Sequence, residues 1–395
     1  MTSATNERGS MPQRVRVWDV PTRLFHWSLV ALVTACLITG YIGEPSLFTL
    51  HITAGTGVAA LLVFRLVWGF VGHGPARFRS FLFGPKALLG HLMGLLVGRP
   101  PRHLGHNPAG SWMIFALLGT LMLLVPAGLV AIGGTEKLGP FAGVVPYWLG
   151  KAAKEVHEAL AALVMLMVAG HVGGVLLESW LLRENLPASM VHGRRIIPAN
   201  EPKLAHAAAR LPRPAPAALA VRLPLALAAA AAVLLLPNMP LMGAMTGKAE
   251  PAKKAAFPAV YASECGDCHA PYHPALLPPE SWKAILANLE NHFGEDGSLD
   301  AETLAAIRRY LLSESAKPWD VKPAHELRLA NGKAPLRMTE TPFWKKKHRR
   351  IPASVFSSPA VGGKVNCAAC HRDADSGLFR RTAIAIPDHV STQPE

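Results

Sequence analysis

Cysteine is scarce in this chain. It has five in 395 residues, and four fall in two short runs, Cys265-Gly-Asp-Cys268-His269 and Cys367-Ala-Ala-Cys370-His371. Acidic residues are also few, 26 against 40 Lys and Arg, although the mean hydropathy is positive at +0.25. A nucleic-acid binder would carry such a positive excess on a polar chain; this one is 50% apolar, so nucleic acid is set aside as a partner. High apolar content with basic charge suits a bundle of membrane helices in contact with lipid, its inner loops rich in Lys and Arg. No cleavable signal peptide is expected at the start, because the first 23 residues are polar and basic (Arg8, Arg14, Arg16, Arg23). No solenoid-type repeat is apparent either.

Each Cys-x-x-Cys-His run reads as a covalent attachment site for haem c. Both thiols add across the porphyrin vinyl groups, and the adjacent His269 or His371 supplies the first axial bond to iron. A bare Cys-x-x-Cys would also fit a zinc knuckle or a redox dithiol; the immediate His, occurring twice, argues against both. The fifth cysteine, Cys36, lies in an apolar run and reads as a small buried hydrophobe. Haem c is attached outside the cytoplasm, so the C-terminal part is expected in the periplasm.

Five apolar runs are long enough to span a bilayer, which takes roughly 20 residues. They are about Leu24–Tyr41, Leu50–Val71, Ser111–Ile132, Val156–Leu182 and Leu223–Met245. Lys and Arg crowd the N-terminal tail and the 72–110 and 183–222 connections, whereas the loops near 42–50 and 133–152 hold only Lys137 and Lys151. The N-terminus is therefore expected inside, with the fifth run carrying the chain out. The expected fold is an all-α membrane protein: a four-helix bundle over 1–183, a cytoplasmic linker over 184–222, a fifth transmembrane helix over 223–245 and a small, mainly helical periplasmic domain over 246–395. The Pro/Ala-rich stretch from Leu211 reads as an extended spacer, and Met242-Gly-Ala-Met-Thr-Gly only faintly resembles a peptidase site.

Four membrane histidines carry the next inference. His26 lies at the inner end of the first helix and His51 at the outer end of the second, while His157 and His171 share the fourth. Fourteen residues at about 1.5 Å each separate the last two by roughly 21 Å on nearly one face. Depth then pairs His51 with His157 toward the outside and His26 with His171 toward the inside, which suits bis-His ligation of two b haems. A lone membrane His could merely hydrogen-bond a neighbour, but intramembrane polar groups in matched pairs are usually functional. Arg65, fourteen residues after His51, reaches the inner depth, either to pair with haem propionates or to snorkel to the interface. His73, His91, His103 and His106 fall in the basic inner connection and read as solvated.

Residues 15–190 resemble the bacterial cytochrome b561 family, which includes b-type cytochrome subunits of nickel-iron hydrogenases. The matching stretches are Val17-Trp-Asp-Val-Pro-Thr-Arg-Leu-Phe-His26-Trp, His51 through Arg65-Leu-Val-Trp-Gly, and His157-Glu-Ala-Leu through His171 to Asn185-Leu. The resemblance implies a four-helix bundle binding two b haems through these four histidines. Residues 258–385 resemble the dihaem cytochrome c family, from Glu264-Cys-Gly-Asp-Cys-His, Leu276-Leu-Pro-Pro-Glu-Ser-Trp282 and His292-Phe-Gly294 to Asn366-Cys-Ala-Ala-Cys-His371. That likeness implies low-spin haems, each needing a sixth ligand from His273, His292, His325, His348 or Met338. His292, on a helical stretch over Trp282–Phe293, and His348 are the expected pair, without an assignment to either haem. His273 is disfavoured: four helical residues from His269, it would share its face. The Lys345–Arg350 run reads as a solvated basic face, with an acidic redox partner as the sharper alternative.

The expected function is membrane electron transfer, as a carrier or quinol oxidoreductase. Electrons would run between the quinone pool and a soluble periplasmic carrier or haem protein, through two haem b (non-covalent) and two haem c (covalent). The alternatives are the electron-transfer subunit of a larger complex such as a hydrogenase and, of another class, a haem-based redox or gas sensor. Homodimers and larger complexes are compatible with the sequence.

Overall fold

The computed structural model describes residues 13–199, 201–211, 216–235, 257–315, 317–327 and 334–387. Helices α1 (Val20–Ile42), α2 (Phe48–Val71), α3 (Pro85–Leu96), α4 (Pro108–Thr135) and α5 (Tyr147–Leu182) follow in order. All but α3 are long and apolar enough to cross a bilayer, where a helix satisfies its own backbone polar groups. α2 and α5 stop where the apolar runs stop, at Val71 and Leu182, and α5 starts nine residues earlier than its run; α1 extends beyond its run to its caps. Asp19 accepts the Thr22 N–H at 2.8 Å ahead of α1, and Gly43 ends it in the left-handed region at φ 69°.

Three expectations change. The 72–110 connection is not simply a basic loop, since it contains α3 and two 3-10 turns, Gly74–Ala76 and Phe78–Phe81. The described helices continue with α6 (Leu186–His192), α7 (Pro202–Ala209) and α8 (Pro216–Leu235). The last begins seven residues before the expected fifth span, and residues 236–245 of that span lie outside the described residues. The fold is also not wholly helical. Strand β1 (Gln13–Arg16) pairs antiparallel with β2 (Arg194–Ile197), tying the segment before α1 to the segment after α6. Both Val17 and Trp18 donate to the Gly193 carbonyl, at 2.9 and 3.1 Å. A Cβ at Gly193 would stand 2.7 Å from the Trp18 carbonyl oxygen, so glycine alone permits this approach.

The chain divides into two compact units: Met1–Gly43, Leu50–Ala127 and Val156–Pro237 in one, Glu44–Thr49, Gly128–Glu155 and Asn238–Glu395 in the other. In the first, Phe25, Leu62, Phe64, Trp68, Leu121 and Val164 form the core between α1, α2, α4 and α5. In the second, the helices Pro279–Leu286 and Ala301–Ser315 pack Trp282, Leu286, Ile307 and Leu311 around Tyr261. The turn between α4 and α5 belongs to this second unit. There, Gly134 and Gly150 meet backbone to backbone, a Cβ on either lying 2.5 Å from the other's Cα.

Asp320 anchors that turn. It accepts from Lys137 Nζ and from the Tyr147 backbone N–H at 2.8 Å, and Glu326 accepts from Lys151 Nζ at 2.7 Å. Burial pushes both carboxyls up, but the hydrogen bonds from Lys137 and the Tyr147 amide, and from Lys151 for Glu326, outweigh it and leave both below their ordinary values. A depressed folded pKa gives stability that is present above the ordinary carboxylate range, about pH 4, and is lost as pH falls through the lower value. Hydrogen exchange at 137–147, corrected for intrinsic rate, should therefore stay slow from neutral pH down to about 4 and quicken below it. Unchanged protection at pH 3 would show that these pairs do not hold the turn.

Candidate functional site

The expected ligand histidines come together in pairs. The ring centroids of His51 and His157 lie 6.2 Å apart, those of His269 and His292 6.3 Å, and those of His348 and His371 6.2 Å. Two imidazoles on opposite sides of one metal, each nitrogen about 2 Å from it, place their ring centres roughly 6 Å apart. His26 and His171 lie within electrostatic reach of one another, from α1 and α5.

Local structure aims these rings. The His51 Nδ1 lies 3.1 Å from the Cys36 carbonyl and 3.0 Å from Thr39 Oγ1, and His157 Nδ1 lies 2.9 Å from the Leu124 carbonyl. A carbonyl only accepts, so each Nδ1 carries the proton and each Nε2 keeps its lone pair, the arrangement a metal-bound histidine adopts. Gly40 leaves room for the His51 ring, since a Cβ there would lie 3.2 Å from its Cε1. His269 Nδ1 donates to the Ala270 carbonyl at 3.0 Å and His348 Nδ1 to the Trp344 carbonyl at 2.9 Å. Burial, and next the neighbouring His348, push His371 down to about 4, which keeps it a neutral, lone-pair-bearing ring at neutral pH.

The His292 ring does not sit on a helix as expected. The helix ends at Leu286, a 3-10 turn covers Leu289–Asn291, and His292 follows it, before Phe293 at φ 60° and Gly294 at φ 109°. The backbone reversal there lets His292 exchange hydrogen bonds with Glu295. The other sixth-ligand options point elsewhere. His273 is not on a helix with His269; it accepts from the Ala275 amide at 3.1 Å and packs edge-on to Trp319. His325 stacks on Tyr147 and reaches Asp320 at 3.2 Å, and Met338 packs against the Tyr261 core.

The thiols also separate this chemistry from a redox dithiol. Burial pushes Cys265 and Cys367 up to about 11 and raises Cys370, whereas dithiol oxidoreductases lower a cysteine to expose thiolate.

Arg65 is 3% exposed, so it does not snorkel. Its guanidinium donates to the Ala76 carbonyl at 3.1 Å and lies 4.5 Å from the Phe78 ring centre. The inner-connection histidines are not uniformly solvated either. His91 is 1% exposed on α3, with its Nε2 4.0 Å from Glu178 Oε1. His106 packs between Trp18 and Phe81, at 4.6 and 4.3 Å between ring centres. Burial, then the charges of Arg65, His171 and His26, push it down to about 3. Apolar periodicity gave no sign of His106. Its place two residues before Pro108, the first residue of α4, does put it at the same end of the bundle as His26.

A haem fits these residues through the donor set itself: the paired imidazoles are half-buried, and those whose Nδ1 is tied to a carbonyl keep Nε2 free to ligate. Among the described residues the Nδ1 atoms of His26 and His371 have no hydrogen-bond partner, so these two rings lack that anchor.

Comparison with known proteins agrees with this division. Residues 17–193 match the model of the prokaryotic cytochrome b561 family, and residues 261–379 match that of dihaem cytochrome c. The chain is similar to a "Probable Ni/Fe-hydrogenase B-type cytochrome subunit" of Rhizobium leguminosarum bv. viciae, 27% identical over 235 residues, 50% of this chain and 95% of that protein. It is also similar to a "Probable Ni/Fe-hydrogenase 1 B-type cytochrome subunit" of Escherichia coli (strain K12), 26% identical over 212 residues, 45% of this chain and 89% of that protein. Among solved structures, a diheme cytochrome c from Rhodobacter sphaeroides is 39% identical, covering 31% of this chain and 98% of that chain with a TM-score of 0.27. A diheme cytochrome type c from Shewanella baltica OS155 is 37% identical, covering 33% and 93%, with a TM-score of 0.26.

Proposed function

Because residues 17–193 belong to the prokaryotic cytochrome b561 family and residues 261–379 to the dihaem cytochrome c family, we propose that this membrane electron-transfer protein links the quinone pool to a redox partner in the periplasm. The observation that carries the reading is the recurrence of paired imidazoles at 6.2–6.3 Å. His51 with His157 and His26 with His171 would hold two b haems; His269 with His292 and His371 with His348 would hold two c haems, on Cys265/Cys268 and Cys367/Cys370. Each haem, when bound, supplies a one-electron iron couple. The protein's part is to present Nε2 lone pairs, exclude water and set the order of the sites along the chain. The Cys36 and Leu124 carbonyls fix the tautomers of one pair, and Arg65 offers a buried cation at inner depth for a haem carboxylate.

A second reading has its own support: the relatives named as hydrogenase b-type subunits cover half of this chain. In it, a catalytic partner reduces the b module, and quinol alone reacts slowly. A sensor would need an open iron position, and the four proposed histidine pairs supply enough ligands to fill all four irons, which weighs against that reading.

The proposed functional parts are a b module (1–183), a cytoplasmic linker (184–222), a fifth span (223–245) and a c module (246–395) outside the inner membrane, the N-terminus lying inside. Basic residues on the 72–110 and 183–222 connections support this orientation. Protease added to spheroplasts should release a haem-staining C-terminal fragment and leave the b module embedded. A fragment released only after the membrane is broken would reverse the orientation.

A further inference from the structure

Among the described residues of the second unit, the most deeply buried carboxylate does not serve any histidine pair. Glu136, one residue past the end of α4, is 4% exposed and accepts from Lys322 Nζ at 2.6 Å and from the Arg381 backbone N–H at 2.8 Å. The Arg381 guanidinium also lies 3.9 Å from it and over the Phe48 ring, at 5.2 Å. Around it, Glu44 pairs with Arg350 at 3.6 Å, Asp320 accepts from Lys137 and the Tyr147 amide, and Glu326 accepts from the Tyr147 hydroxyl and Lys151, both at 2.7 Å. Two short stretches, Glu44–Thr49 and Gly128–Glu155, thus form a seat on which the C-terminal fold rests inside one compact unit.

The residues that meet the seat cluster on one side of that fold. Arg350 lies two residues after His348. Arg381 begins a 3-10 turn whose continuation returns to the second attachment motif: Ala385 N–H donates to the Cys370 carbonyl at 2.8 Å, Arg372 N–H donates to Ala383 at 3.0 Å, and His371 bridges Ile384. The seat is thereby wired through a few backbone bonds to Cys370 and His371. Cys265 packs against the lobe built on Tyr261 and Trp282, His269 stacks on that lobe's Tyr272 with His292 beside it, and Tyr272 Oη donates to the Val365 carbonyl at 2.6 Å. Lys346 and Lys347 of the Lys345–Arg350 run also border the seat, lining a cleft with Glu136, Lys151 and Lys154. The Lys and Arg residues of that run are solvent-exposed, as the solvated reading expects, and Arg350 in addition pairs with Glu44.

We propose that Glu136 is a positioning residue that clamps the dihaem fold to the α4–α5 turn with its Cys367–His371 site turned toward the seat and its Cys265–His269 site turned away, toward a soluble redox partner. The domain works as a fixed extension of the turn and not as a carrier swinging on its tether. The inference rests on the haem reading for its consequence, but the clamp itself can be read without it.

The test uses the full-length holoprotein in lipid nanodiscs and the variants Glu136→Gln, Glu136→Lys and the pair Glu136→Lys/Lys322→Glu. Glu136→Lys puts a cation against Lys322 and Arg381. It should quicken hydrogen exchange at 136–147 and 320–326 and slow quinol-driven c-haem reduction by at least about tenfold, the scale on which misplacement of reacting groups shows. Haem content and dithionite titration should stay unchanged. The pair should recover part of the exchange protection and rate by restoring the 136–322 ion pair, but not the Arg381 N–H bond, which a lysine cannot accept. Wild-type exchange in Glu136→Lys overturns the clamp. If that variant loses haem, Glu136→Gln must show the same changes in weaker form with haem retained, and a wild-type result there also overturns it. Slower reduction with the exchange unchanged would refute the positioning role. The orientation is read separately: Cys265→Ala/Cys268→Ala should still reduce its remaining c haem from quinol, and Cys367→Ala/Cys370→Ala should not. The opposite pattern would reverse inner and outer sites. A wild type lacking b haem would sink the haem reading while leaving the exchange test of the clamp intact.

Discussion

Alanine at His157 and alanine at His51 are expected to remove the same non-covalent haem. Pyridine haemochrome analysis of either variant should show one b haem beside two c haems, against two of each in the parent. The two ring centres lie 6.2 Å apart, and each Nδ1 is tied to a carbonyl of a neighbouring helix, so neither ring can be replaced by a nearby donor without breaking that anchor. A haem without covalent attachment then keeps one axial bond in an apolar bundle, and loss of a metal ligand falls among the substitutions with exceptional effects. His26→Ala or His171→Ala should remove the other b haem. The c sites respond differently to the same operation. His292→Ala or His348→Ala leaves the thioether bonds in place, so the haem stays on the chain and turns high-spin in its absorption spectrum. If the His26 and His51 variants lost one and the same haem, the pairing by depth would be wrong.

Much of the site was legible because its chemistry is written in local signals. The Cys-x-x-Cys-His runs need only five adjacent residues, and the four membrane histidines need only helix spacing and a topology read from Lys and Arg. Helix ends were less legible, since Asp19 and Gly43 set the limits of α1 through capping and not through apolar content. The β1–β2 pairing was invisible, because four-residue strands separated by about 180 positions carry no periodicity of their own. His91 and His106 were misread for a related reason. A histidine in a basic connection looks solvated until α3 and the Phe81 turn fold over it. Glu136 was the hardest to see, because its partners Lys322 and Arg381 come from nearly 190 and 250 residues further along and only the folded unit brings them to one carboxylate.

Electron entry from quinol through the b module is the second large effect expected, and it tests the central claim most directly. Purified full-length protein in liposomes, given a short-chain quinol with no other subunit, should reduce its c haems, followed at the c-type α-band. In the proposed arrangement the c module holds its haems covalently outside the bilayer while the donor dissolves in the lipid, so transfer would depend on what His26, His51, His157 and His171 hold between them. A variant with His157→Ala and His171→Ala, lacking both b haems but retaining both c haems, should fall to the rate of quinol with the c module alone. Dithionite should still reduce that variant fully, which separates a missing relay from a damaged c module. The hydrogenase-subunit reading gives slow reduction by quinol even in the intact protein and fast reduction once a catalytic subunit is added. The quinol relay predicts rapid, b-haem-dependent reduction of the c haems in the protein alone; undiminished reduction in the variant without b haems would contradict it.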